Sequence, residues 1–133
     1  MTAPILPPLL LTKHHGLGND FLVAVVEDPA VHDCPVLAKR LCDRRRGVGA
    51  DGLIVTAFTP GGPADATMAL HNADGSRAEM SGNGIRCLAQ ALAMARGVRH
   101  ADLAIATDAG LRTVQVRPDP TDAATVEVRV GMG

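Results

Sequence analysis

The chain has 133 residues, 20% of them charged, and a formal net charge of −1, which argues against the basic excess that nucleic acid or an anionic membrane demands. With two phenylalanines and neither tyrosine nor tryptophan, it has no platform for stacking bases, and its core must be aliphatic. That length makes one domain able to bury about two-thirds of its unfolded surface, and three cysteines without a Cys-x-x-Cys pair suit a reducing compartment.

Residues 1–8 read as a variable start. The run Ile5-Leu-Pro-Pro-Leu-Leu-Leu11 is too short and too proline-rich to span a membrane, and no basic segment precedes it as in a signal peptide. A soluble cytoplasmic protein is the expectation. Strands are predicted at 9–14 and 21–27, joined by a turn over Gly16-Leu-Gly-Asn-Asp20. A helix follows from Pro35 to about Arg46, with Gly47 beyond its end and Arg44, Arg45 and Arg46 complementing the dipole in its last turn.

Residues 53–59 and 66–71 read as strands, separated by a Pro/Gly loop at 60–63 and followed by a polar turn over Asn72–Ser76. The next helix, 82–96, has only Arg86, Gln90 and Arg96 as polar side chains after its first turn. A helix apolar almost all round is expected to be buried, with the free N–H groups of its first turn pointing into the interior. Three strands close the chain at 102–107, 111–117 and 125–130. Thr113, Gln115 and Arg117 alternate with Val114 and Val116, the pattern of a half-solvated strand. The sum is an α+β domain of mostly antiparallel strands around a central buried helix, plus a second helix. Its end at Gly131-Met-Gly133, directly after a strand, reads as a domain cut from a longer protein.

Several motifs have bland readings. Gly47-Val-Gly-Ala-Asp-Gly52 matches G-x-G-x-x-G by letter, but a helix precedes it and a strand follows, the reverse of a dinucleotide site. It reads as a structural turn. Five histidines are scattered without metal-ligand spacing, so no metal site is predicted. Taken singly, Gly16–Phe21 and Asn72–Ser76 are turns, and Ser81-Gly-Asn-Gly84 is an N-cap box.

Their combination and order carry more. Lys13-His-His-Gly-Leu-Gly-Asn-Asp-Phe21, Leu41-Cys-Asp-Arg-Arg-Arg-Gly-Val-Gly-Ala-Asp-Gly52, Asn72-Ala-Asp-Gly-Ser76, Glu79-Met-Ser-Gly-Asn-Gly-Ile-Arg-Cys87 and the closing Val128-Arg-Val-Gly-Met-Gly133 follow one another along the chain. Together they resemble the amino-terminal half of diaminopimelate epimerase, the cofactor-independent amino-acid epimerase of lysine and cell-wall biosynthesis. The resemblance implies two similar domains facing across a cleft, each wrapping strands around a central helix. It implies a substrate held between two helix N-termini, with one cysteine from each domain on opposite faces of the α-carbon. No pyridoxal phosphate or metal is implied.

Carried onto this chain, Asn19, Asn72, Gly82 and Asn83 match substrate-contacting positions, the last two through backbone N–H groups that bind the carboxylate. Ser81 stands where the family has its first proton-transferring cysteine. A serine hydroxyl is far less acidic than a thiol, whose reference pKa is about 8.5, and needs a partner to act as a base. Cys87 matches a later cysteine of the family and reads as a buried structural thiol, and Gly52 stands where some members carry a substrate-contacting glutamine. Three explanations of Ser81 stay open: an introduced change that removes the thiol, a natural variant with altered chemistry such as a related isomerase or dehydratase, or a half-size unit built without the chemistry. The implied partners are diaminopimelate and a second domain or second copy of the chain. The competing reading is a non-catalytic module that keeps the carboxylate-binding helix mouth.

Overall fold

The computed structural model describes residues 9–79 and 81–131, so the variable start at 1–8, Met80, and the last two residues of the closing motif lie outside the described part. Ten elements follow in order: β1 (Thr12–Gly16), β2 (Asn19–Val25), α1 (Cys34–Cys42), β3 (Gly52–Thr56), β4 (Ala66–Thr67), β5 (Ala69–Asn72), α2 (Gly82–Ala95), β6 (Ala101–Thr107), β7 (Gly110–Pro118) and β8 (Val126–Val130). A 3-10 turn at Pro29–Val31 precedes α1. The strands form two sheets, ordered β1-β2-β3-β5 and β4-β6-β7-β8. Among the described residues four of the six pairings are antiparallel, and β2–β3 and β4–β6 are parallel.

Helix α2 lies between the sheets. Ile85, Leu88, Leu92 and their neighbours pack with Phe21, Val23, Ile54 and Leu70 of the first sheet and Leu103, Ile105, Val114 and Val116 of the second. The other face of the first sheet carries Leu22, Leu53 and Val55 against Ala38 and Cys42 of α1. With both faces covered, β2 and β3 read as continuous apolar runs, whereas β7 has an exposed face and alternates.

The structure corrects several boundaries. The hairpin between β1 and β2 needs only Leu17 and Gly18, both at positive φ (49° and 90°), so Gly16, Asn19 and Asp20 belong to strands and not to the turn. Helix α1 begins at Cys34, where the Asp33 side chain accepts from the Val36 N–H, and ends at Cys42. Asp43 then accepts from the Arg45 and Arg46 N–H groups and bends the chain away, so Arg44, Arg45 and Arg46 lie beyond the helix. A Cβ at Gly47 would meet the Arg40 carbonyl oxygen at 2.1 Å, which is why this return has no room for a side chain.

The stretch expected as one strand at 66–71 is two. β4 pairs in the second sheet and β5 in the first, with Met68 between them donating its N–H to the Ala106 carbonyl at 2.9 Å. The buried Thr56 hydroxyl donates to the Thr67 carbonyl at the same crossing.

Helix α2 is not buried all round. Gly82 and Met94 are exposed and Arg86 and Gln90 half-buried, a stripe at helical spacing beneath the gap between the free edges of β1 and β8. Gln90 spans that gap: its Oε1 lies 2.6 Å from Nδ1 of buried His14 on β1, and its Nε2 donates to the Ala124 carbonyl ahead of β8 at 3.2 Å.

Candidate active site

Three strands and one helix end build the site. Phe21, Gly52 and Asn72 stand in register across β2, β3 and β5, at the end of the first sheet beside the start of α2. A cleft of about 460 Å³ opens there, lined by Asn19, Phe21, Asp51, Leu70, Asn72, Arg77, Ala78, Glu79 and Ser81. The helix mouth therefore opens on a surface cleft of this chain, and the expectation that it points into the protein's own interior is corrected. Helix α2 is amphipathic enough to leave its first turn at the surface.

Ser81 is the N-cap of α2, with extended backbone (φ −114°, ψ 125°). Its Oγ accepts from the Gly84 N–H at 3.0 Å, and its carbonyl accepts the first helical bond from Ile85 at 2.9 Å. The Ile85 bond is already intrahelical, so the cap satisfies one of the donors that a helix start leaves over, the Gly84 N–H. The N–H groups of Gly82 and Asn83 donate to no other described residue. They form the electropositive end of the helix dipole and suit a carboxylate. Gly84 allows the close cap: a Cβ there would stand 3.3 Å from Ser81 Oγ and 3.2 Å from its Cβ.

The five residues singled out in the sequence are brought together, in different ways. Ser81, Asn19 and Asn72 line the cleft, and Gly82 is exposed beside it. Asn83 reaches across from the helix, its Nδ2 donating to Asn19 Oδ1 at 2.8 Å. Asn72 is held by its turn: its Nδ2 donates to Ser76 Oγ at 3.1 Å and its N–H to the Ser76 carbonyl at 2.8 Å. Cys87, one helical turn and more inside α2, is buried among core residues, and burial pushes its thiol up to about 11. Cys42 is raised to about 11 by the same cause, and neither thiol lines the cleft.

Sequence reasoning missed the acidic and basic groups around the cleft. Asp51 lies in a motif read as a plain turn, Asp20 in a segment read as a hairpin loop, and Arg44 among cations assigned to a helix end. Here Arg44 makes a paired contact with Asp20 (2.9 and 3.1 Å) and reaches Asp51 at 3.2 Å. The guanidinium holds Asp20 well below the usual carboxylate range. Arg77 grips Asp108 with two bonds, 2.9 and 2.8 Å, tying the segment that leads to Ser81 onto the β6–β7 turn. The available signal was the spacing of Asp20 and Asp51 at the entries of two neighbouring parallel strands, visible only once β2 and β3 are paired.

Comparison with known proteins bears on the family and the fold. Residues 11–133 match the family model described as diaminopimelate epimerase. The diaminopimelate epimerase of Natranaerobius thermophilus is 49% identical over 106 residues, covering 78% of this chain and 34% of its own. That of Synechocystis sp. is 45% identical over 127 residues, with coverages of 94% and 43%. The chain thus spans about two-fifths of the length of these curated relatives. Among solved structures, a probable proline racemase from Agrobacterium radiobacter, with bound carbonate, superposes with a TM-score of 0.67 at 18% identity, covering 91% of this chain and 41% of its own. A hydroxyproline epimerase from Agrobacterium vitis, with bound trans-4-hydroxy-L-proline, gives 0.65 at 18% identity, with coverages of 89% and 40%. At that identity the likeness speaks for a shared fold.

Proposed function

Because this chain belongs to the diaminopimelate epimerase family, we propose that it forms one face of an amino-acid epimerase site, acting on diaminopimelate by proton transfer at the α-carbon. The observation that carries the reading is the pair of N–H groups at Gly82 and Asn83, unpaired among the described residues, at a cleft lined by Ser81, Asn19 and Asn72. The α-proton of an amino acid is weakly acidic. Donors aimed at its carboxylate stabilise the charge that develops there as the proton leaves. Asn19 and Asn72 orient the substrate's polar groups, and Ser81 stands at the proton-transfer position. Two-base chemistry of this kind calls for no pyridoxal phosphate or metal, and in the family it belongs to cytoplasmic lysine and peptidoglycan-precursor biosynthesis. The opposite face comes from a second domain or a second copy of the chain, closing over the exposed mouth.

One observation favours a second reading, a module that binds the substrate without turning it over. Ser81 Oγ already accepts the Gly84 N–H, and none of the other described residues hydrogen-bonds it as a base would to activate a hydroxyl. Exchange of the α-proton for deuterium separates the two. Incubation of diaminopimelate with the chain in D2O above the buffer rate supports the enzyme. Saturable binding without exchange leaves the binding module, and absence of binding removes both readings. Ser81→Cys, combined with a facing second domain, is expected to raise exchange by orders of magnitude, since a positioned acid or base contributes roughly 10²–10⁴-fold. No gain would strip position 81 of its role.

A further inference from the structure

We propose that Arg44 and Asp51 are positioning residues of the helix mouth: they fix which way round the carboxamides of Asn19 and Asn83 stand, and Arg44 compensates the negative charge that Asp51 brings to the cleft. The proposal deepens the carboxylate-binding reading above and rests on it for its functional meaning, though not for its structural test.

A carboxylate only accepts hydrogen bonds, whereas a carboxamide has one accepting and one donating end. Asp51 Oδ2 accepts from the Asp20 N–H at 3.1 Å and from Asn19 Nδ2 at 3.2 Å, while its Oδ1 accepts from Arg44 at 3.2 Å. Asn19 is thereby obliged to turn its amino end to Asp51 and its carbonyl to the helix. Asn83 must then present its own amino end, which donates to that carbonyl at 2.8 Å. The polarity set by one acceptor-only group passes through two carboxamides onto the second residue of α2.

The same cluster balances charge. Asp51 lines the cleft in which a carboxylate is to dock, and an uncompensated anion there would repel it. Arg44 bridges Asp51 and Asp20, and Lys13 reaches Asp20 at 3.4 Å, so two cations meet two anions. Asp51 is clamped on the main chain too, its N–H donating to the Asp20 side chain at 3.0 Å. Exposed ion pairs add little to stability. The assembly is thus better matched to orientation than to holding the fold.

The test reads the Asn83 side-chain amide of the full chain by ¹⁵N-resolved NMR, in resonance position and hydrogen-exchange protection. In Asp51→Asn, the charged Arg44 takes the carbonyl of the new carboxamide in preference to the neutral Asp20 N–H, whose bond is lost, and the amino end then faces Asn19. Asn19 turns over and Asn83 with it. Protection of the Asn83 amide is expected to fall roughly tenfold. In the double variant Asn19→Asp/Asp51→Asn, the amino end at 51 meets a carboxylate that again accepts from Asn83, and protection should return to within about twofold. A purely structural role would give no such rescue. An Asn83 amide that is unmoved in Asp51→Asn, or unrecovered in the double variant, overturns the proposal.

Arg44→Gln supplies an independent arm. It is expected to weaken diaminopimelate binding, followed at the Gly82 and Asn83 backbone amides, by roughly fivefold at low salt, with the loss shrinking as ionic strength rises. An unchanged affinity removes the charge-balancing role. If diaminopimelate fails to move those amides in the unmodified chain, the carboxylate-binding reading fails, and the Asn83 side chain still decides whether Asp51 sets the orientation.

Discussion

Leu17 carries the one non-glycine positive φ among the described residues, 49°, at a hairpin tip where its side chain is 91% exposed. A branched apolar residue gains nothing there from burial and loses about 1 kcal/mol to the left-handed backbone. Leu17→Asn would give an Asn-Gly pair, the preferred sequence for a two-residue turn with both φ positive. The expected outcome is a melting temperature raised by roughly 4 °C. An unchanged or lower value would mean that the turn leans on Leu17 in some other way. Residue-level reading of the sequence was sound where chemistry is local. Ser81 was legible as a cap because a serine directly before an apolar helical run can accept from a first-turn N–H. Asn19 and Asp20 were misplaced into the turn because asparagine and aspartate favour turns, yet here their side chains are held by Asp51 and Arg44, in the connection between α1 and β3.

Among the elements, α2 was recognised in type and nearly in extent, and its apolar spacing was strong enough to identify the core. What its sequence did not disclose is the seam on its open side. Gln90 looked like a stray polar residue in a buried helix, but it bonds both His14 and the Ala124 carbonyl across the gap between the two sheets. Gln90→Ala should leave the ring nitrogen of a buried histidine without its partner and cost about 1–3 kcal/mol. The check is urea unfolding of the variant beside Gln90→Glu, which keeps an acceptor for His14. A loss under ~0.5 kcal/mol for alanine would show that water replaces the amide without penalty. The split of 66–72 between two sheets was illegible for a different reason. Both halves have strand composition, and only the pairing of Met68 with Ala106 reveals the crossing.

For the molecule as a whole, two buried histidines link stability to pH. Burial pushes His14 below its ordinary value, with His15 adding to the effect and the Gln90 bond opposing it. Burial, reinforced by Arg77 and opposed by Asp108, does the same to His71, whose Nδ1 has no partner among the described residues. The unfolded chain binds these protons near pH 6.5, before the folded chain does. The stabilising contribution is therefore complete above that pH and is lost as pH falls towards the lowered folded-state values. Asp20, shifted downward, is ionised in both states over this range and adds no slope there. Urea midpoints at pH 8, 7, 6 and 5 should fall steadily on the acid side, and His71→Phe should flatten the decline. A midpoint that rises between pH 7 and 5 contradicts the assignment.

Because one short run of chain serves first as a strand of one sheet and then of the other, neither sheet can change its frame alone. Sliding β4 along β6 by a single residue would drag Asn72 about 3.3 Å from its station beside the cap of α2. Misalignment on the far wall of the molecule would thus be felt as a detuned grip on the ligand.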